Sequence, residues 1–314
     1  FILGCIDTFS RDTARCKINR FTAIARAQKV LENAGVNPAS YVVVPTLISD
    51  VAMEEMQYLY ENVKRQRTLQ LCEQTQPGFI WQVRFFRFLD PTEYRVRLRG
   101  DGSEYSLDIS QDNETPGATI DDAKAKSLAL DYIKRTHPDY KDFRISRLAR
   151  EDKKNRRDYN IDFVVPALKV GDAEYKFYLQ ILGDKPCNFS QAWQVPDAWK
   201  YERAKVTESA AILNNVRYYT KVACVCFLIY WVITLLRAGV MQWRLPLVVA
   251  IVLALICIGE QLNHLPSVMF NYQTEISKNT YIFNCFIDYV RSAADIFWRL
   301  FLASALALGA FRLL

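Results

Sequence analysis

Two histidines, eight cysteines and a few runs of charge are the side chains of this 314-residue sequence that could do chemistry. His137 lies in THPDY at the end of a helical pattern, where a helix C-terminus favours partial positive charge. His264 lies in LNHLP, and a metal site needs further ligands beside it. Only Glu260 is in helical reach, so His264 reads as a polar residue at an apolar boundary. Glu54-Glu55 has no histidine or basic partner at useful spacing and reads as a solvated helix face. No cysteine pair has CxxC spacing, which argues against a zinc knuckle. Buried single thiols are the plain reading; a disulfide among Cys5, Cys16, Cys72 and Cys187 would need an oxidising compartment. There is no GxSxG, P-loop or GxGxxG. The sequence therefore assembles no catalytic, cofactor or metal site.

Three charge patterns remain. Arg84, Arg95, Arg97 and Arg99, with Arg87 nearby, fall on the outer face of a strand pair and could meet an anionic lipid or acidic partner, or simply face water. Lys153-Lys154-Asn155-Arg156-Arg157 reads as a polar turn before a strand. Asp288, Arg291, Asp295 and Arg299 recur at three- and four-residue spacing, so they share one helical face and alternate in sign. They form either a strip that contacts a partner helix or a salt-bridged stalk. Forty Lys and Arg against 34 Asp and Glu leave a net charge of +6. That charge is dispersed, whereas nucleic-acid binding wants a clustered basic surface.

The elements that carry these residues divide sharply. Val222–Leu236 and Leu245–Ile258 contain no charge, and with Tyr218, Tyr219, Trp243 and 259–265 as flanks they reach the roughly 20 residues a bilayer-spanning helix needs. Pro246 suits a first helical turn. Arg237 and Arg244 bound the link of this hairpin, and by the positive-inside rule they put the link in the cytoplasm and the folded part outside. Arg217 and Lys221 pull the other way.

Upstream, the pattern is α+β and occurs twice. Residues 19–34 form a helix stopped by Gly35, followed by a short strand at Tyr41–Val44 and a helix from Asp50 to about Lys64. A Gln-rich loop spans 66–78, and strands follow at Phe79–Leu89, Tyr94–Leu98 and Glu104–Ile109. In the middle strand Tyr94, Val96 and Leu98 point inward, with the arginines outward. Thr119 then caps a helix at 120–135, and strands follow at Phe143–Leu148, Tyr159–Val165, Tyr175–Leu182 and Phe189–Trp193. Glu93-Tyr94 with Gly100-Asp101 is echoed by Glu174-Tyr175 with Gly183-Asp184, two residues longer, as a bulge would make it. The expected organisation is an N-terminal stub at 1–18, α+β repeats at 19–112 and 113–200, a juxtamembrane helix at 201–219, and a membrane region at 220–314. Three helices are expected in that last region, at about 220–241, 243–262 and 283–314. FILGCI at the start and an apolar helix at the end suggest a piece of a longer polypeptide.

Read in order, WQVRFF (81–86), EYRVRLRGDG (93–102), ETPGATIDDAKAKSLALDYI (114–133), RRDYNIDF (156–163), VPDAWKYER (195–203) and LNHLPSVMFNYQTEIS (262–277) resemble the N-terminal half of the CPBP family, the CAAX-protease-like intramembrane metalloproteases. The resemblance implies a PepSY-like extracytoplasmic α+β region ahead of a membrane core in a bacterial inner membrane. It carries over no catalytic residue. The family's EExxxR pattern would need Arg where Leu59 follows Glu54-Glu55, and FxxxH would need Phe where Ile133 and Glu260 precede the two histidines. A divalent metal such as zinc is implied only if a protease core follows Leu314. Two functions stay open: the substrate-gathering part of such a protease, or a non-enzymatic accessory subunit docking on other membrane proteins. Membrane lipid and membrane-protein subunits are the expected partners, and nucleic acid is not.

Overall fold

The computed structural model describes residues 16–50, 52–75, 78–239, 244–263 and 268–313. These form two compact units, the first running to Asp197 and including Gln273–Ile276, the second made of Ala198–Tyr272 and the residues from Ser277 on.

The first unit is α+β, with two four-stranded antiparallel sheets. Helix α1 (Arg20–Asn33) is capped by Asn19, whose Oδ1 accepts from Thr22 N at 2.9 Å. Gly35 ends it at φ 79°, a left-handed conformation that costs glycine little. Strand β1 (Val42–Asp50) follows, then α2 (Met53–Asn62), α3 (Arg65–Thr75), β2 (Gly78–Phe86), β3 (Glu93–Arg99) and β4 (Glu104–Ser110). Two expectations are corrected here. The short strand extends to Asp50, because all nine of its residues pair with β2; Pro45 is tolerated because β1 is an edge strand. The Gln-rich loop is α3, whose buried Thr68, Leu71, Cys72 and Thr75 recur at helical spacing.

The second sheet follows α4 (Asp122–Thr136). That helix is capped by Asp121 rather than Thr119, with Oδ1 accepting from Lys124 N at 2.7 Å. Its strands are β5 (Arg144–Asp152), β6 (Arg157–Val170), β7 (Ala173–Leu182) and β8 (Lys185–Gln194). Each sheet is thus a four-strand meander behind a helix, and the α2–α3 insertion distinguishes the first. The echoed Glu-Tyr and Gly-Asp pairs fall at equivalent places, on the third strand and the hairpin after it. Both third-to-fourth pairings carry a register shift, at Arg97/Leu98 and at Tyr178/Gln180. Both hairpins turn through a glycine at positive φ, Gly102 at 85° and Gly183 at 67°. At Gly183 an added Cβ would also lie 2.8 Å from Ala118 N.

Ala23, Ala27 and Leu31 of α1 are fully buried against Val83, Phe85, Val96 and Leu98, with Leu182 and Cys187 of the other sheet completing the cluster. Phe21, at the start of the same helix, is 79% exposed. Close packing selects the small alanine face, which lets the helix lie near the sheet.

The second unit is helical: α5 (Asp197–Arg237), α6 (Arg244–Asn263) and α7 (Lys278–Leu313). The expected juxtamembrane helix and first apolar helix are one continuous element. Asn215–Leu235 and Arg244–Gln261 are long and apolar enough to cross a membrane, and only 6% and 17% of those windows are buried. Helices α6 and α7 pack along each other, with Ala250 and Phe301 among the few buried side chains. Ser277 starts α7, its Oγ accepting from Thr280 N at 3.2 Å.

Candidate interaction sites

The arginine face of β3 is largely consumed by the fold. Register sets Arg84 beside Arg95 and Arg95 beside Asp108 across β2, β3 and β4. Arg84 is only 3% exposed, and its Nε donates to Glu93 Oε2 at 2.8 Å. Burying a guanidinium demands such a partner, since an unpaired buried charge is far costlier. This overturns the placing of Arg84 on an outer face. The other oxygen of Glu93 accepts from Arg95 at 2.6 Å. Arg97 pairs with Asp108 at 2.9 Å and donates to the Phe189 carbonyl of β8 at 3.0 Å. Two carboxylates among three guanidiniums leave the cluster nearly neutral, so it is a weak general anion trap.

Arg99 lies over the same Tyr105 ring as Arg97, at 5.4 and 5.5 Å. It donates to the carbonyls of Glu104 and Thr136 at 2.7 and 3.2 Å and meets His137 Nδ1 at 2.7 Å. Because Arg99 can only donate, His137 Nδ1 accepts and Nε2–H donates to the Tyr105 carbonyl at 3.1 Å. The ring stacks on Phe189 at 4.0 Å. His137 is 1% exposed, and burial, reinforced by Arg99, drives its pKa from 6.5 down to about 3. It does occupy the C-cap position, but as a neutral ring joining the two sheets rather than a positive cap.

The sheets meet at β4 and β8. Asn188, at φ 53°, accepts from Ile109 N at 2.9 Å through Oδ1 and donates to the Ile109 carbonyl at 3.2 Å. A side-chain amide thus replaces a strand partner. Beside this seam opens a cleft of about 410 Å³, lined by Arg95, Arg97, Asp108 and Ser190 among others. The sequence offered no signal for Asn188, because its role depends on a contact 79 residues away.

Other expectations also change. Glu55 is no solvated carboxylate: its Oε2 accepts from Trp193 N at 3.0 Å. Within the basic turn, Arg156 is 4% exposed. Its Nε lies 3.0 Å from both oxygens of Asp158, and Nη1 donates to the carbonyls of Asp112 and Thr115 at 2.8 Å. Cys72 and Cys187 are free, buried thiols, both pushed up to about 12 mainly by burial. Cys5 and His264 lie outside the described residues. Among the described residues, no group of three or more His, Cys, Asp or Glu could hold a metal ion.

The ladder on α7 forms as the spacing requires. Asp288, Arg291, Asp295 and Arg299 are all exposed, and Arg299 meets Asp295 at 2.7 Å. With Ser292 they line an open groove of about 470 Å³.

Comparison with known proteins returns nothing: no family model, no curated protein and no solved structure matches the chain.

Proposed function

We propose that the chain is a membrane-anchored docking protein, an accessory or scaffold subunit whose folded α+β unit and helices hold other membrane proteins. In this reading the α+β unit is a duplicated PepSY-like module, and α5, α6 and α7 make the membrane region. One observation carries the proposal. Before Asp197 the large apolar side chains are mostly buried, whereas from Leu213 to Trp298 the exposed set includes Phe227, Tyr230, Leu255, Ile256 and Phe286, each 59% exposed or more. Large exposed apolar side chains in that number mark a membrane or partner surface rather than one that faces water. Tyr218 and Tyr219, 63% and 69% exposed, suit the headgroup zone at one end of the first span. Arg237 and Arg244 favour a cytoplasmic link, so the α+β unit faces the extracytoplasmic side of a bacterial inner membrane.

The resemblance to intramembrane metalloproteases supports the same layout and gives docking a purpose, the gathering of a substrate. Proteolysis itself would need metal-binding motifs that these residues lack. Alkaline carbonate extraction followed by protease treatment of spheroplasts tests the proposal. The chain is expected to stay with the membrane pellet and to lose its α+β unit to external protease. Release into the carbonate supernatant would refute the anchoring, and protection of the unit would reverse the orientation.

A further inference from the structure

Between α1 and α4, against β4 and the start of β8, lies a cleft of about 450 Å³, a size that suits a small ligand. Leu107 and Ile109, both 6% exposed, line it from the sheet, and Val30 and Leu128 line it from the two helices. We infer that this cleft binds the N-terminal residue of a peptide chain whose first side chain is apolar, with its α-ammonium on Glu104 and its first carbonyl on Tyr132. The inference goes beyond the docking reading above and stands on the cleft alone.

Two polar groups of the cleft lack partners. Tyr132 lines it and is 4% exposed, and its hydroxyl has no hydrogen-bond partner among the described residues. Burying a hydroxyl in that state is unfavourable. The Leu107 amide lies nearby, but an N–H only donates, so the phenol's own proton is still without an acceptor. Glu104 is placed by the register shift at Arg97/Leu98, which sets it opposite Leu98 on the helix-facing side of the sheet. Its carboxylate is half-buried and has no hydrogen bond among the described residues, and burial pushes its pKa up against the pull of Arg135 and Arg99. The Glu104 charge is in turn felt at Tyr132. A donor without an acceptor near a carboxylate without a donor fits a ligand that carries both complements. An ammonium answers Glu104 but has no lone pair for Tyr132. A peptide N-terminus supplies both, since the first carbonyl sits beside the α-ammonium on the same residue. An apolar first side chain then covers Leu107 and Ile109. Asp131 and Asp184, exposed at the rim with Arg135 and Lys185, bring the lining to three carboxylates against two cations, a balance that favours a positive ligand.

The test uses the full chain in lipid nanodiscs, the amide of Leu-Gly-Gly as probe, and saturation-transfer NMR of the probe as readout. Empty nanodiscs set the background from lipid. Transfer to the leucine methyls is expected above that background. N-acetylation of the probe keeps the carbonyl and removes the charge, and should weaken binding about tenfold. Glu104→Gln should weaken the unmodified probe by a similar factor. Tyr132→Phe should weaken it several-fold, yet leave isoamylamine, which has the ammonium and the apolar body but no carbonyl, bound as before. The Tyr132→Phe chain should also melt no lower than wild type, because the hydroxyl it removes has no acceptor in the free chain. That melt separates a lost contact from lost folding. Signal no greater than with empty nanodiscs, equal binding of the acetylated probe, or indifference to either substitution would each overturn the inference. So would a lower melting temperature, or weaker isoamylamine binding, in Tyr132→Phe.

Discussion

The two units of the chain treat apolar and charged side chains in opposite ways. Ahead of Asp197, Phe85, Phe86, Phe163, Phe177 and Phe189 are fully buried, and the buried charges Arg84, Glu93, Arg156 and Asp158 come in pairs. Beyond Ala198, Phe227, Leu255 and Phe286 face outward, and so do the charges of the α7 strip. One region is built by taking apolar surface away from water. The other gains little from its own packing and depends on what surrounds it. On the membrane reading proposed above, one chain obeys a single energetic rule, burial of apolar area, in two solvents.

That contrast can be broken or sharpened by mutation. Asp158→Ala should have the largest effect, about 3–5 kcal/mol of lost stability in a denaturant melt of the α+β unit, because it leaves the Arg156 charge buried alone. Leu31→Ala should cost about 2–5 kcal/mol by opening a cavity beneath α1. By contrast, Val248→Ala, at a site 56% exposed, should leave helix packing in detergent within about 0.5 kcal/mol by circular dichroism. An equal penalty at Leu31 and Val248 would erase the distinction.

Protonation gives an effect that grows as the pH falls. The pKa of His137 is depressed in the folded unit, from 6.5 to about 3, so the unfolded chain takes up the proton first. Its contribution is complete above pH 6.5 and shrinks as the pH falls towards 3, by about 1.4 kcal/mol per unit. The difference between wild-type and His137→Gln melting curves should narrow across that window. A gap independent of pH would mean that the ring is not held neutral. A small effect is likewise expected at Glu202, whose pairing with Lys205 is 70% exposed or more on both sides. Glu202→Ala should shift stability by less than about 1 kcal/mol.

Much of the α+β unit was legible because its signals are local. Gly100-Asp101-Gly102 marks a hairpin, Val96 and Leu98 alternate with arginines, and Asn19 and Gly35 bracket α1. Helix α3 was not legible, because two of its four buried positions are Thr68 and Thr75, which carry no apolar signal. Asp50 resembles a helix cap, yet it pairs with Gly78 in β1, a partner that a local reading does not see. The site residues fared worst for the same reason. Arg156 and Arg99 look like solvated charges until carbonyls 41 and 37 residues away come within reach. Asn188, which joins the sheets, was silent. The α7 strip was readable throughout, since a helix fixes its own faces.

The central claim is that the outward apolar faces of α5 and α6 meet lipid. Spin labels placed singly at Leu247, Val248, Ile251 and Leu255 in reconstituted bilayers test it most directly, with a label at exposed Lys154 for comparison. The account predicts high collision rates with dissolved oxygen and low rates with a water-soluble nickel chelate at the four α6 sites, and the reverse at Lys154. Nickel accessibility along α6 equal to that at Lys154 would contradict it.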